Sequence, residues 1–270
     1  VSHGKPGPRE VLVRTVAAGV CHSDLHFQNG SYPYPLPAVL GHESAGVVEA
    51  VGSDVHYVKP GDHVITCLSA FCGHCEPCLT GHMSLCQEPE LQRGPSQEPR
   101  LGTQKEPLFQ FLNLSSFAEY MLVHEHTIAK IRPDMPLDRA CLIGCGVTTG
   151  VGAVIHTAKV EPGATVAVIG CGGVGLSAIN GAAIAGASRI IAVDMVASKL
   201  ELARKFGATD VVNAKEVDAV EAVREFTGGG VHYSFEAIGL KKTAEQSFKM
   251  LRRGGTATVI GMIPVGTMVE

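Results

Sequence analysis

Two hydrophobic patterns divide the chain. In its first half, short runs rich in β-branched and aromatic residues at 10–16, 45–50, 62–66 and 117–123 are bounded by turn-forming residues, which predicts strands. Pro33, Pro35, Pro37 and the pair Pro60-Gly61 break any longer pattern. A polar stretch over 87–107 has little periodicity and reads as a long loop. From residue 164 the pattern changes to buried-strand runs at 165–169, 189–193, 210–212, 231–236 and 256–260. Between them lie helical segments at 174–185, 198–206, 218–226 and 242–251. Strict alternation of strand and helix predicts a parallel sheet with right-handed crossovers. The expected fold class is α/β in two domains: a β-rich domain over 1–147, then a doubly wound parallel sheet over 148–270.

Composition agrees with this picture and removes some partners. The chain of 270 residues is 45% hydrophobic and 18% charged, which is globular rather than disordered. A formal net charge of −4 gives no electrostatic reason to expect nucleic acid or an anionic membrane surface. No apolar run reaches the roughly eighteen residues of a membrane span. The first ten residues are polar and Pro/Gly-rich, unlike a signal sequence. Of the nine cysteines, Cys72, Cys75, Cys78 and Cys86 crowd together at gaps that suit metal ligation better than disulfides. A reducing compartment, the cytoplasm, is therefore expected.

Four thiolates at Cys72, Cys75, Cys78 and Cys86 are enough to close a tetrahedral zinc shell with no open position, a structural site. An iron–sulfur cluster is the competing use of Cys-x2-Cys-x2-Cys. Its fourth Cys normally follows after three residues and precedes Pro, whereas Gln87 follows Cys86 here, so zinc is preferred. His74 and His82 lie inside the lobe and are expected to face solvent. Cys21, His42 and Cys145 form a second, dispersed set of soft-to-borderline ligands that would leave a zinc ion one position for water or substrate. Spacing alone does not join these three, since lone cysteines are usually packed and inert.

In the second half, Gly170-Cys171-Gly172-Gly173-Val174-Gly175 fits the dinucleotide fingerprint, with strand before and helix after. Gly170 permits the tight turn, Gly172 lets the backbone approach a pyrophosphate, and Gly175 allows close helix–strand packing, with the helix N-terminus facing the phosphates. Asp194, roughly twenty residues beyond Gly175 at the end of the next strand, stands where an acid accepts hydrogen bonds from the adenosine ribose. A carboxylate there repels a 2′-phosphate, so NAD is expected over NADP. The alternative is that Asp194 only caps the following segment. Lys199 is either a second ribose contact or a solvated lysine.

Gly41-His42-Glu43-x2-Gly46-x5-Gly52-x2-Val55 resembles the signature of the zinc-containing alcohol dehydrogenases of the medium-chain dehydrogenase/reductase superfamily. The Cys-x-Ser-Asp-x-His segment at 21–26, the four-Cys lobe, Gly-Cys-Gly-Val-Thr-Thr-Gly at 144–150 and the glycine fingerprint follow in that family's order. The resemblance covers essentially the whole chain. It implies a GroES-like catalytic domain, a Rossmann coenzyme domain, and a chain incomplete at both ends. It implies two zinc ions and NAD, a small-molecule alcohol or aldehyde as partner, and a homodimer or homotetramer at full length. By resemblance Cys21, His42 and Cys145 are the catalytic zinc ligands, Asp24 orients His42, and Glu43 lies close behind the metal. Ser23 and His26 relay the alcohol's proton outward, and His22 stands where many relatives place Arg against the NAD pyrophosphate. Thr149 and Val174 flank the nicotinamide, and Lys199 holds the ribose.

The function implied is hydride transfer between a primary alcohol or aldehyde and NAD. Leu68, and more weakly Tyr32, are proposed for the pocket wall; a leucine where many relatives carry a bulkier aromatic leaves room for medium-chain or benzylic alcohols. One rival is a glutathione-dependent formaldehyde dehydrogenase, which needs a basic residue beyond the lobe. The acidic Gln87-Glu88-Pro89-Glu90 argues against it and leaves Arg93 and Arg100 as substitutes. Others are a relative that retains its NAD through turnover and, from a different class, a non-catalytic zinc-stabilised NAD-binding module.

Overall fold

A computed structural model describes residues 2–88, 91, 93 and 99–270. It divides into two compact units, Val1–Cys145 and Gly146–Glu270.

The first unit contains β1 (Ser2–His3), β2 (Glu10–Ala18), helix α1 (His22–Gln28), β3 (Ala38–Val39), β4 (Ser44–Val51), β5 (His63–Thr66), helix α2 (Glu76–Leu79), β6 (Leu101–Gly102), β7 (Phe109–Gln110), β8 (Tyr120–His124), β9 (Ile128–Lys130) and helix α3 (Leu137–Ala140). Five strands form one antiparallel sheet in the order β8-β2-β4-β5-β9, and the pairs β1-β6 and β3-β7 stand apart. Its core gathers Val11, Val13, Val48, Val64, Met121 and Val123, which the alternation of the strands turns to one side. The strand expected at 117–123 begins at Tyr120 instead, because Ser116 and Phe117 donate their N–H groups to Gly41 and Leu40. Of the loop expected at 87–107, residues 89, 90, 92 and 94–98 lie outside the described residues, Pro89 and Glu90 among them.

The second unit opens with α4 (Gly146–Gly152), which runs into a π-helical turn over Ala153–Thr157. There follow β10 (Thr165–Ile169), α5 (Gly173–Ile184), β11 (Arg189–Asp194), α6 (Ala197–Lys205), β12 (Asp210–Asn213), α7 (Ala219–Thr227), β13 (Val231–Glu236), α8 (Lys241–Lys249) and β14 (Leu251–Val259). All five strands are parallel, in the order β12-β11-β10-β13-β14. Numbered within the unit this is 3-2-1-4-5, the doubly wound order, which reverses between β10 and β13. Along β10 and β11, Val166, Val168, Ile190 and Ala192 face one apolar layer, and Ala167, Ile169, Ile191 and Val193 the other. Both faces are thus covered, which is why these strands read as continuous apolar runs. The helix expected over 242–251 ends at Lys249, because Leu251 already pairs with Val231.

Among the described residues no single helix is long and apolar enough to cross a membrane.

Candidate active site

The dispersed ligand set converges. The ligand atoms of Cys21, His42 and Cys145 all lie within 4.8 Å of one another, with the two sulfurs 4.0 Å apart. A tetrahedral zinc with metal–ligand distances of about 2.0–2.3 Å needs its ligands roughly 3.5–3.8 Å apart, so this donor set fits that ion after a small contraction. Three protein ligands leave one tetrahedral position for a small oxygen ligand.

Asp24 organises this corner. Cys21 precedes α1 in extended conformation, and Asp24 Oδ2 accepts from the Cys21 N–H (3.2 Å), a reciprocal cap that starts this seven-residue helix. Its other oxygen, Oδ1, accepts from Gly41 N (3.0 Å) and contacts His42 Nδ1 (3.2 Å). That contact commits Nδ1 and turns Nε2 toward the sulfurs, the usual carboxylate–histidine–metal arrangement. Asp24 and His42 are both buried, at 4% and 1% exposure, so the pair is shielded from water. A hydrogen bond from the Cys145 thiol, opposed by burial and helped by His42 and Ser23, draws the Cys21 thiol pKa down to about 3. Burial disfavours the charged form of His42, but Asp24 and then Cys21 hold its pKa up at about 9. The site therefore favours negative sulfur beside His42, and a cation bound there would take the place of the imidazole proton.

The other expected residues of the first unit have contacts of their own. Ser23 Oγ is 3.5 Å from Cys21 Sγ. His26 follows one turn later on α1; its Nδ1 is buried with no hydrogen-bond partner among the described residues, and its ring meets those of His22 (4.8 Å) and Tyr32 (5.8 Å). His22 is exposed. Glu43 is buried against Gly19, whose N–H donates to the Glu43 main-chain oxygen (2.7 Å). Leu68 packs against the core of the first unit. Sequence reasoning missed Phe111, which is fully buried and meets His42 edge-on at 5.8 Å while also packing on Phe27 and Tyr34. Leu112, Asn113 and Ser115 beyond it all have left-handed backbone (φ 49°, 62° and 58°), and only the Asn hints at this in sequence.

The sulfurs of Cys72, Cys75, Cys78 and Cys86 also lie within 4.8 Å of one another, with separations of 3.4 Å (Cys75–Cys78), 3.8 Å (Cys75–Cys86) and 3.9 Å (Cys72–Cys78). These bracket the roughly 3.8 Å edge of a zinc tetrathiolate. Main-chain N–H groups of His74 (3.4 Å) and Cys75 (3.3 Å) point at Cys72 Sγ, stabilising negative sulfur. His74 and His82 are exposed. Arg93 and Arg100 do not offer a free cation beyond the lobe, because both guanidinium groups are bound to Glu10. Arg100 also donates to the Leu91 carbonyl (2.8 Å), and Leu91 packs on the lobe cysteines, so Glu10 ties the lobe to β2.

In the second unit, Gly170–Gly172 forms the turn from β10 into α5, whose first turn carries Gly173 and Gly175, beside the reversal of strand order. A Cβ on Gly175 would fall 1.7 Å from Gly170 O, so only glycine lets α5 start so close to the strand. At Gly172 and Gly173 a Cβ would meet no protein atom within 4 Å, which leaves that surface open to a phosphate at the helix N-terminus. Asp194 Oδ2 accepts from Cys171 N (2.8 Å), and Oδ1 from Met195 N (2.7 Å) and Val196 N (2.9 Å). It thus caps its own turn and braces the glycine loop. Three of about four lone-pair directions are used, so some capacity to accept from a ribose remains. Lys199 is exposed in the first turn of α6. Thr149 lies on α4 beside Gly150, where a Cβ would come 2.3 Å from Val174 O, so α4 packs directly on the start of α5. These features fit a dinucleotide.

Comparison with known proteins gives the same picture. Residues 7–133 match the family model of the alcohol dehydrogenase GroES-like domain, and residues 173–269 that of zinc-binding dehydrogenases. The chain is 41% identical to an alcohol dehydrogenase class-3 from Pisum sativum, over 98% of this chain and 72% of that protein. It is 43% identical to an S-(hydroxymethyl)glutathione dehydrogenase from Saccharomyces cerevisiae, with the same coverage. Among solved structures it resembles an alcohol dehydrogenase zinc-binding domain protein from Burkholderia ambifaria (TM-score 0.90, 45% identity, 99% of this chain and 74% of that chain). It also resembles benzyl alcohol dehydrogenase from Acinetobacter calcoaceticus (TM-score 0.89, 40% identity, 100% of this chain and 74% of that chain).

Proposed function

The chain belongs to the zinc-containing alcohol dehydrogenases of the medium-chain dehydrogenase/reductase superfamily, and from that premise we propose that it oxidises medium-chain or benzylic primary alcohols, or reduces their aldehydes, with NAD. The observation that carries this reading is the convergence of Cys21, His42 and Cys145 on one point with three ligands rather than four. Cys72, Cys75, Cys78 and Cys86 would hold a second, structural zinc, and Gly170–Gly175 with Asp194 the NAD. When bound, zinc supplies the Lewis acidity that lowers the pKa of water from about 15.7 to about 7 and acts likewise on an alcohol, and NAD supplies the hydride acceptor.

The chain's own residues handle position and proton. Asp24 fixes the His42 ring through Nδ1. Ser23 Oγ, beside Cys21 Sγ, would accept the alcohol's proton, and His26 on the same helix would carry it toward solvent. The unpartnered Nδ1 of His26 is a ready acceptor, and an imidazole can take a proton at one nitrogen and release one from the other. A small or basic residue in place of Asp194 would welcome a 2′-phosphate, whereas the Asp194 carboxylate favours NAD.

Benzyl alcohol as the substrate class follows the similarity to an enzyme of that name, and the relative named S-(hydroxymethyl)glutathione dehydrogenase supplies the second reading. The engagement of Arg93 and Arg100 with Glu10 weighs against the second, since an anionic adduct would need one of them free. The full-length protein is further proposed to be a cytoplasmic homodimer or homotetramer with no nucleic-acid or membrane partner. The test is initial rates with NAD and with NADP over ethanol, hexanol, benzyl alcohol and S-(hydroxymethyl)glutathione, with and without a strong zinc chelator. Chelator-sensitive, NAD-linked oxidation led by hexanol or benzyl alcohol is expected. Preference for ethanol or for the glutathione adduct would overturn the substrate assignment.

A further inference from the structure

Glu236 closes β13 and has no part in the zinc sites or the proton relay. Its side chain is fully buried. Oε1 accepts three hydrogen bonds, from Ile238 N (2.9 Å), Gly239 N (2.8 Å) and Thr243 Oγ1 (2.7 Å). Its main-chain oxygen accepts from Ile260 N (2.8 Å) and Gly261 N (3.1 Å). Oε2 has no hydrogen-bond partner among the described residues, and a Cβ on Gly261 would approach it to 2.7 Å. One residue thus fastens two loops, the one that leads from β13 into α8 and the one that leaves β14.

Both loops lie where a dinucleotide would be met. Ile169 of β10 pairs with Glu236 of β13, and the strand order reverses between these two strands; ligands of such sheets sit outside the carboxyl ends of the strands at that crevice. Ile238 reaches over the first glycine of the fingerprint, with its Cγ1 2.6 Å from where a Cβ on Gly170 would stand. Gly239 in turn rests on the Met262 backbone, where a Cβ would come within 2.5 Å of the carbonyl oxygen. The carboxylate therefore sets the position of Ile238 above the glycine loop and of Gly239 against the loop after β14. Burying a carboxylate costs free energy unless its hydrogen bonds are made. Here that cost is met at one oxygen by donors from the crevice wall itself.

We propose that Glu236 is a positioning residue for the coenzyme: by holding Ile238–Gly239 in place its carboxylate sets the affinity for NAD and leaves the hydride-transfer step untouched. The proposal rests on the reading of this chain as NAD-linked. It is tested on the full chain by fluorescence titration of NADH binding, by competition with ADP-ribose, and by steady-state rates. Replacing Glu236→Ala is expected to weaken NADH and ADP-ribose by about tenfold and to raise KM for NAD alike, with kcat at saturating NAD within about threefold. Glu236→Gln keeps a carbonyl oxygen for the three donors and is expected to bind NADH within about threefold of wild type. Wild-type NADH affinity in Glu236→Ala overturns the proposal, and so does Glu236→Gln as weak as Glu236→Ala. Should Glu236→Ala fail to fold, Thr243→Val removes one donor and is expected to weaken NADH by about threefold at unchanged kcat, an unchanged affinity being fatal. A wild-type chain that binds no NADH overturns the coenzyme reading itself and this proposal with it.

Discussion

Glu10 offers the sharpest quantitative test of how the zinc lobe is anchored. Oε1 accepts from Arg100 Nε (2.7 Å) and Arg93 Nε (3.1 Å), and Oε2 from Gly7 N (2.8 Å) and the Arg93 guanidinium. The Glu10 side chain is 8% exposed, and those of Arg93 and Arg100 are 14% and 6% exposed, so solvent screens the cluster poorly. Burial alone would raise the carboxyl pKa; the hydrogen bonds of Arg93, Arg100 and Gly7 overcome it and bring the group from 4.5 down to about 2. At about 1.36 kcal/mol per unit this is about 3 kcal/mol of stability. Because the folded-state value is the lower one, the contribution is complete above pH 4.5 and is lost as pH falls from there toward 2. Glu10→Gln should therefore destabilise the first unit by about 3 kcal/mol at pH 7, the scale expected on breaking a buried pair. The assay is denaturant unfolding followed by circular dichroism, with release of lobe zinc to a chromogenic chelator marking the transition at pH 7, where the metal is bound. Comparing wild type and Glu10→Gln at each pH cancels the zinc loss common to both, and their difference should shrink toward zero near pH 2. A difference below about 0.5 kcal/mol at pH 7, or one that persists unchanged at pH 2, would refute the argument.

Other outcomes follow from the same geometry. Asp24→Asn removes the charge that orients His42 and should weaken zinc at the three-ligand site by about tenfold to a hundredfold in a chelator competition, with the lobe zinc retained. Gly172→Ala, whose Cβ meets open space, should leave thermal stability unchanged yet weaken NADH binding. Gly175→Ala, which drives a Cβ against Gly170 O, should lower both the melting temperature and NADH affinity. Equal stability in these two variants would contradict the assigned roles. His26→Gln interrupts the proposed relay and should lower kcat by about a hundredfold at neutral pH, with partial recovery when imidazole is supplied as buffer.

Much of this molecule was legible in its sequence, for identifiable reasons. The second unit announces itself because strands covered on both faces must be apolar throughout, and because Gly170 and Gly175 answer local backbone demands that only glycine meets. The lobe was legible because all four thiols lie close in sequence. Cys21, His42 and Cys145 were joined only through family resemblance, since no local pattern spans so long a separation. Helix α1 escaped notice because it is short and polar and depends on a cap formed by Cys21 and Asp24, a box that lacks the usual Ser or Thr. Helix α4, with its glycines and threonines, has poor intrinsic propensity and forms where Gly150 can pack against Val174 O. The strands β3 and β7 are two residues each and exist through tertiary pairing alone. Glu10 and Glu236 gave no sequence signal either. Glu10 finds its arginines far along the chain, and Glu236 resembles any strand-end acid until its donors are in place.

The most direct test of the central assignment is zinc content per full-length chain in wild type and Cys21→Ala, with alcohol-dependent NADH formation measured on the same samples. Two ions in wild type, and one in an inactive Cys21→Ala that keeps its lobe zinc, are the predicted result. A single ion in active wild type, or a Cys21→Ala variant that retains both ions and its activity, would contradict it.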